Sequence, residues 1–248
     1  MNDDATNLKG QVAVVTGAGR GIGKAIAIGF AKAGARICCA ARSQDEILNT
    51  VSQARDLGAE AIAQATDVTN LNSVIDLFSA AEIAFGGVDI VVVNAGISSP
   101  KKTVEASDPE AWAHTINVNL VGAYYTAKAA IPHLRRRGGG KIILLGSGLG
   151  HRGLPERSAY ACSKAGVWML TRVLAQELQS SNISVNELIP GPVATTMTTP
   201  GDAQQLSGAG GSEWLKQPDD VVPLALFLAG QPRIGPTAQS FSLMRRDC

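Results

Sequence analysis

Short runs of consecutive apolar residues alternate along this chain with longer stretches whose apolar positions recur every three or four residues. QVAVVT (11–16) is such a short run, the pattern of a strand buried on both faces. The spacing that follows predicts a helix over 21–33. The alternation continues with strands at 36–41, 61–65, 90–94, 141–146 and 183–189, the run at 61–65 being the weakest. The intervening helices are predicted at 45–57, 70–85, 110–136 and 158–179. A last helix at 221–229 tolerates Pro223 in its first turn, where no intrahelical N–H is needed. A short strand near 240–243 closes the series.

Strand, helix, strand, repeated through a chain, predicts an α/β fold: a doubly wound parallel sheet of about seven strands with helices on both faces. No stretch rich in Pro, Gly or Ser divides the middle of the chain, so residues 1–248 are expected to form a single domain. The rhythm breaks at 190–213, PGPVATTMTTPGDAQQLSGAGGSE. It follows the sixth strand, at the sheet edge where open α/β folds bind their ligands. A long irregular segment there is expected to act as a substrate lid, spanning 190–216.

Composition excludes several classes. Lys plus Arg total 22 against 21 for Asp plus Glu, a net charge of +1, which gives no footprint for nucleic acid and no polybasic membrane patch. The polar start MNDDATNLKG is not a signal peptide, and no apolar run reaches the roughly 18 residues of a spanning helix. Four cysteines without CxxC spacing and three histidines argue against a metal site. Cys38 and Cys39 are strand neighbours pointing to opposite faces, so they are expected as buried free thiols of a reducing cytoplasm. Cys162 is expected as a small packing residue.

The first candidate site is TGAGRGIG, Thr16 to Gly23, between the first strand and first helix. Gly17, Gly21 and Gly23 let backbone N–H groups approach a phosphate, and the helix start adds a favourable dipole. The motif lacks the Lys-Ser/Thr ending of a nucleoside-triphosphate loop. The second strand ends Ala40-Ala41-Arg42-Ser43, without the acid that a free ribose 2′-hydroxyl requires. Arg42, with Arg20 of the glycine loop, suits a 2′-phosphate instead, because the guanidinium fork matches phosphate. The expected cofactor is NADP(H).

The second is the set Ser147, Tyr160 and Lys164. Tyr160 and Lys164 stand at i and i+4 and share a helix face. The ammonium is expected to pull the phenol's pKa down from about 10. Tyr160 then exchanges a proton with a ketone or an alcohol. Ser147, ending the fifth strand, is placed to hold the same oxygen.

In order, TGAGRGIG (16–23), Asp67-Val68, NAG (94–96), Asn119, Ser147, Tyr160-x-x-x-Lys164 and PGPVAT (190–195) resemble the motif set of single-domain short-chain dehydrogenases/reductases. The resemblance covers essentially the whole chain. It implies a Rossmann fold, and it implies roles for the remaining motif residues. Ile22 would lie within the cofactor loop, and Asp67 and Val68 would border the adenine. Asn94, Ala95 and Gly96 would shape the cleft. Asn119 would kink its helix and hold a water that relays protons to Lys164, itself bonded to the nicotinamide ribose. Pro190 and Gly191 would open the segment whose Val193 and Thr195 hold the carboxamide.

Within the family the chain is most similar to 3-oxoacyl-[acyl-carrier-protein] reductases and related NADPH-dependent carbonyl reductases. That implies a carbonyl or alcohol substrate, with 3-oxoacyl thioesters favoured and linkage to acyl carrier protein or coenzyme A. Arg135, Arg136 and Arg137 are the expected docking charges. A homotetramer built on helices 110–136 and 158–179 is also implied. The tail AQSFSLMRRDC departs from the family pattern. The competing readings are a dehydrogenase of a free alcohol, sugar or steroid, and a non-catalytic dinucleotide sensor. His151, Arg152, Glu156 and Arg157 are expected in a solvated loop, and Met197 and Trp214 beneath the lid.

Overall fold

The computed structural model describes residues 7–198 and 213–244. Seven parallel strands form one sheet in the order β3-β2-β1-β4-β5-β6-β7. They are β1 (Val12–Thr16), β2 (Arg36–Ala41), β3 (Ala61–Ala65), β4 (Ile90–Val93), β5 (Gly140–Leu145), β6 (Ile183–Ile189) and β7 (Ser240–Ser242). The helices are α1 (Gly21–Lys32), α2 (Gln44–Asp56), α3 (Leu71–Phe85), α4 (Pro109–Ile116), α5 (Gly122–Arg136), α6 (Ser158–Leu178) and α7 (Val222–Ala229). Strand order reverses between β1 and β4, which opens the ligand crevice of a doubly wound sheet at their C-terminal ends.

The apolar strand runs divide by alternation between two cores. Ala13, Val15, Cys39 and Ile90 face α1, α2 and α7 through Ile26, Phe30, Ile47 and Leu228. Val12, Val14, Cys38 and Val91 face α3, α5 and α6 through Leu77, Phe78, Leu134 and Leu174. Cys38 and Cys39 therefore lie on opposite faces as buried free thiols. Cys162 departs from expectation: it is exposed.

Local signals set the helix starts. Ser43 caps α2 by accepting from Glu46 N, Asn70 caps α3, and Asp108 caps α4 by accepting from Ala111 N at 2.7 Å. The single helix expected over 110–136 is two helices joined by a π-helical turn, Asn117–Val121. That turn carries Asn119, 2% exposed, at the place where the family resemblance implied a kink. The segment expected as a lid is stapled at its ends by a parallel bridge between Val193 and Lys216. Its middle, 199–212, lies outside the described residues, as do residues 245–248 of the tail. No described helix is long and apolar enough to cross a membrane.

Candidate active site

The glycine loop is shaped by contacts that exclude a side chain. Gly17 (φ +68°) and Gly21 (φ +55°) are left-handed, and a Cβ on Gly17 would lie 2.6 Å from Asn94 Nδ2. A Cβ on Gly23 would fall on the Gly17 carbonyl. Asn94 earns its place as a clamp: its Nδ2 donates to Thr16 O at 2.8 Å and Gly17 O at 3.2 Å. Thr16 Oγ1 accepts from the backbone of Asn94 and Ala95 at 3.0 and 3.2 Å. Thr50 of α2 donates to Ala18 O at 2.9 Å and holds the loop from outside. Ile22 packs against the core beneath.

These residues fit a dinucleotide. Helix α1 has no side-chain cap and no acidic residue in its first turn, so its leading amides and positive dipole end are left for an anion. Arg20 and Gly21 line a cavity of about 550 Å³ with Ala194, Thr195 and Thr198. Gly191 (φ +68°) turns the chain from buried Pro190 toward that wall.

At the outer end, Arg42 is exposed, and its charge helps hold the Asp67 carboxyl below its usual range. The larger cause is hydrogen bonding from the Thr69 backbone and hydroxyl to that carboxylate, at 2.9 and 2.7 Å. Val68 packs on Gly122, where a Cβ would lie 2.8 Å from Val68 Cγ2. Arg20 pairs with Glu46 at 3.3 Å. Glu46 was not singled out in the sequence; the Ser43-x-x-Glu46 capping spacing was its only signal.

The residues of the second candidate set come together at the end of β5. The hydroxyl of Ser147 lies near the phenol of Tyr160 and accepts from Leu149 N at 3.2 Å. Lys164 Nζ donates to Leu145 O at 2.6 Å and lies 5.8 Å from the Tyr160 ring centroid. Asn119 Oδ1 accepts from Ile97 N at 2.8 Å, while its Nδ2 donates to Ile97 O at 3.0 Å and Ser163 Oγ at 3.1 Å. A Cβ on Gly96 would lie 3.2 Å from Asn119 Oδ1, so this glycine allows the approach.

One electrostatic expectation is reversed. The Tyr160 phenol is raised, because burial penalises the phenolate more than the Ser147 hydroxyl and the Arg157 charge favour it. Burial pushes Lys164 down to about 8, against the opposing charge of Glu187. The protein alone thus presents a protonated phenol, a donor for a carbonyl oxygen.

Around this set, His151 is not solvated: it turns inward to Glu187. Arg152 and Glu156 are exposed. Met197 and Trp214 are 41% and 64% exposed. The three arginines ending α5 are locally engaged. Arg135 donates to Ser181 at 3.1 Å, Arg136 pairs with Glu82, and Arg137 pairs with Asp89 at 2.9 Å.

Residues 11–206 match the family model described as short chain dehydrogenase. A short-chain type dehydrogenase/reductase of Picea abies is 40% identical over 234 residues, covering 90% of this chain and 86% of that protein. An NADPH-dependent aldehyde reductase-like chloroplastic protein of Arabidopsis thaliana is 39% identical over 248 residues, covering 90% and 88%. The crystal structure of a short-chain type dehydrogenase/reductase from Mycobacterium marinum superposes with a TM-score of 0.91 at 31% identity, covering 98% and 97%.

Proposed function

The chain belongs to the short-chain dehydrogenase family, and on that premise we propose that it is an NADPH-dependent reductase of free aldehydes or ketones, able to run in reverse on the alcohol. The observation that carries this reading is the convergence of Ser147, Tyr160 and Lys164 at the end of β5, with the Lys164 ammonium bonded to Leu145 O and 5.8 Å from the Tyr160 ring centroid.

The amides around Gly17, Gly21 and Gly23 would hold the cofactor's pyrophosphate. Arg20 and Arg42 would hold a 2′-phosphate, and Asp67 and Val68 would border the adenine. The nicotinamide, when bound, supplies the hydride that reduces the carbonyl carbon. Ser147 Oγ and Tyr160 Oη orient the carbonyl oxygen, and Tyr160 gives it a proton. The Lys164 ammonium offsets the phenolate left behind. Asn119 keeps the Ile97 segment and α6 in register around that exchange.

The engaged state of Arg135, Arg136 and Arg137 favours a free carbonyl over an acyl-carrier-protein thioester. The aldehyde reductase-like relative supports the same choice and NADPH. Tyr124, Met169 and Val173, exposed on α5 and α6, support association into a homotetramer, which sedimentation velocity checks.

The test is the initial rate of NADPH absorbance loss on a panel of aldehydes, simple ketones and a 3-oxoacyl thioester, with NADH in parallel. Fast turnover of small carbonyls with NADPH is expected. Turnover of the thioester alone would move the substrate class to acyl groups, and preference for NADH would overturn the roles of Arg20 and Arg42.

A further inference from the structure

Beside Lys164 lies a buried carboxylate that the mechanism above does not use. Strand β6, Ile183–Ile189, is buried at every position, and in its middle Glu187 is 0% exposed. An uncompensated carboxylate there is costly, so its partners matter. His151 Nε2 donates to its two oxygens at 3.0 and 3.3 Å, and Ser240 of β7 donates to Oε2. The His151 ring meets Trp168 edge-on, with centroids 5.3 Å apart. The Arg172 guanidinium covers the same indole at 4.3 Å and reaches Ser240 Oγ at 3.5 Å.

Glu187 pairs in register with Leu144 of β5. Its carboxylate lies over Gly146, where a Cβ would fall on Oε1. Lys164 is bonded to the carbonyl of Leu145, the neighbouring residue. Carboxylate and ammonium therefore bracket the same Leu145–Gly146 peptide. We propose that Glu187, held in place by His151 and Ser240, is a positioning residue for Lys164, keeping that lysine in its ammonium form beside Tyr160. Gly146 is required because any side chain would occupy the carboxylate's place.

The charge of Glu187 favours protonated Lys164 against the burial that pushes the lysine down to about 8. The titratable and charged groups facing the pair are His151 from the loop after β5, Tyr160 and Arg172 on α6, and Arg157 at the start of α6. Glu187 touches no substrate in this scheme and acts through Lys164, so the inference rests on the reductase reading for its catalytic consequence. The electrostatic coupling stands apart from that reading.

The experiment uses the full chain with Glu187→Gln, which keeps the shape and removes the charge. Lys164 is titrated by NMR in protein labelled with ¹³C at lysine Cε, the signal being assigned by its loss in Lys164→Arg. The midpoint is expected to fall by about one pH unit. The alkaline limb of the kcat profile should fall with it. An unchanged or higher Lys164 midpoint overturns the proposal. His151→Phe removes the imidazole donor that holds the carboxylate in place and charged, so the midpoint should fall there too; absence of a fall also overturns it, and decides alone if Glu187→Gln does not fold. If the wild-type chain turns over no carbonyl, the reductase reading fails while the NMR titration still decides the coupling.

Discussion

Lys164 Nζ is bonded at 2.6 Å to the carbonyl of Leu145, nineteen residues earlier in the chain. Ser147 stands two residues beyond that carbonyl, so one strand end fixes the ammonium and the serine hydroxyl together. Tyr160, one helical turn before Lys164, is brought to both by α6. The proposed proton donor is thus set by a strand and a helix rather than by the loop between them.

Tyr160→Phe removes the proton donor and keeps the ring. It should lower kcat by about 10²–10⁴-fold. NADPH affinity, read by quenching of protein fluorescence, should change by less than about tenfold. Retained turnover would sink the acid role of Tyr160.

Asn119→Ala strips both polar groups of Ile97 and Ser163 of a partner at a side chain 2% exposed. A loss of about 1–3 kcal/mol in urea unfolding is expected. A fall in kcat should accompany it as Ile97 and α6 lose register. An unaltered urea midpoint would show that the π turn holds without this side chain.

Lys141 is 6% exposed, and burial pushes it down to about 8, as with Lys164, from the ordinary 10.5. A lysine lowered in the folded state costs stability below about 8, and the cost disappears as pH rises to 10.5, because the unfolded chain there binds the extra proton. The raised thiols of Cys38 and Cys39 act oppositely above their ordinary 9.0, and Tyr160 does so above 10.0. The lysine gain is therefore isolated by comparison with Lys141→Met. The variant's stability relative to wild type should be greatest near pH 7 and decline steadily between pH 8 and 10.5. A difference in urea midpoint that stays flat across that range would contradict the folded-state shift.

Arg42→Ala should cut kcat/KM with NADPH by about 10–100-fold, the worth of one charge-assisted hydrogen bond, and leave NADH little changed. Arg20→Ala should cost less, since that guanidinium is already paired with Glu46. Glu46→Gln should release it and lower the NADPH KM. Equal losses with both cofactors would show that Arg42 reads no 2′-phosphate.

The fold was legible because its signal is local. Apolar runs buried on both faces located the strands, and β6 coincides with the predicted 183–189. Most helix ends fell within a residue, since caps such as Ser43 and Asn70 are chemical features of the chain. The interruption at Asn119 was implied by family likeness and was not read from the apolar period, because the one-residue offset of a π turn falls within a stretch too short to define a period on either side.

What the sequence by itself determined was therefore the sheet, its covering helices, and the identity and order of Gly17, Asn94, Asn119, Ser147, Tyr160 and Lys164. Only the tertiary structure decided their electrostatics. The i, i+4 spacing placed Lys164 by Tyr160 and suggested a lowered phenol. Burial, which depends on what every other element leaves around the pair, raises the phenol instead. Partner choice was also undecided by spacing: His151 lies 36 residues from Glu187, and Arg20 lies 26 from Glu46. Such pairs form because the sheet brings distant segments to one edge, where desolvation makes each charge seek a counterpart.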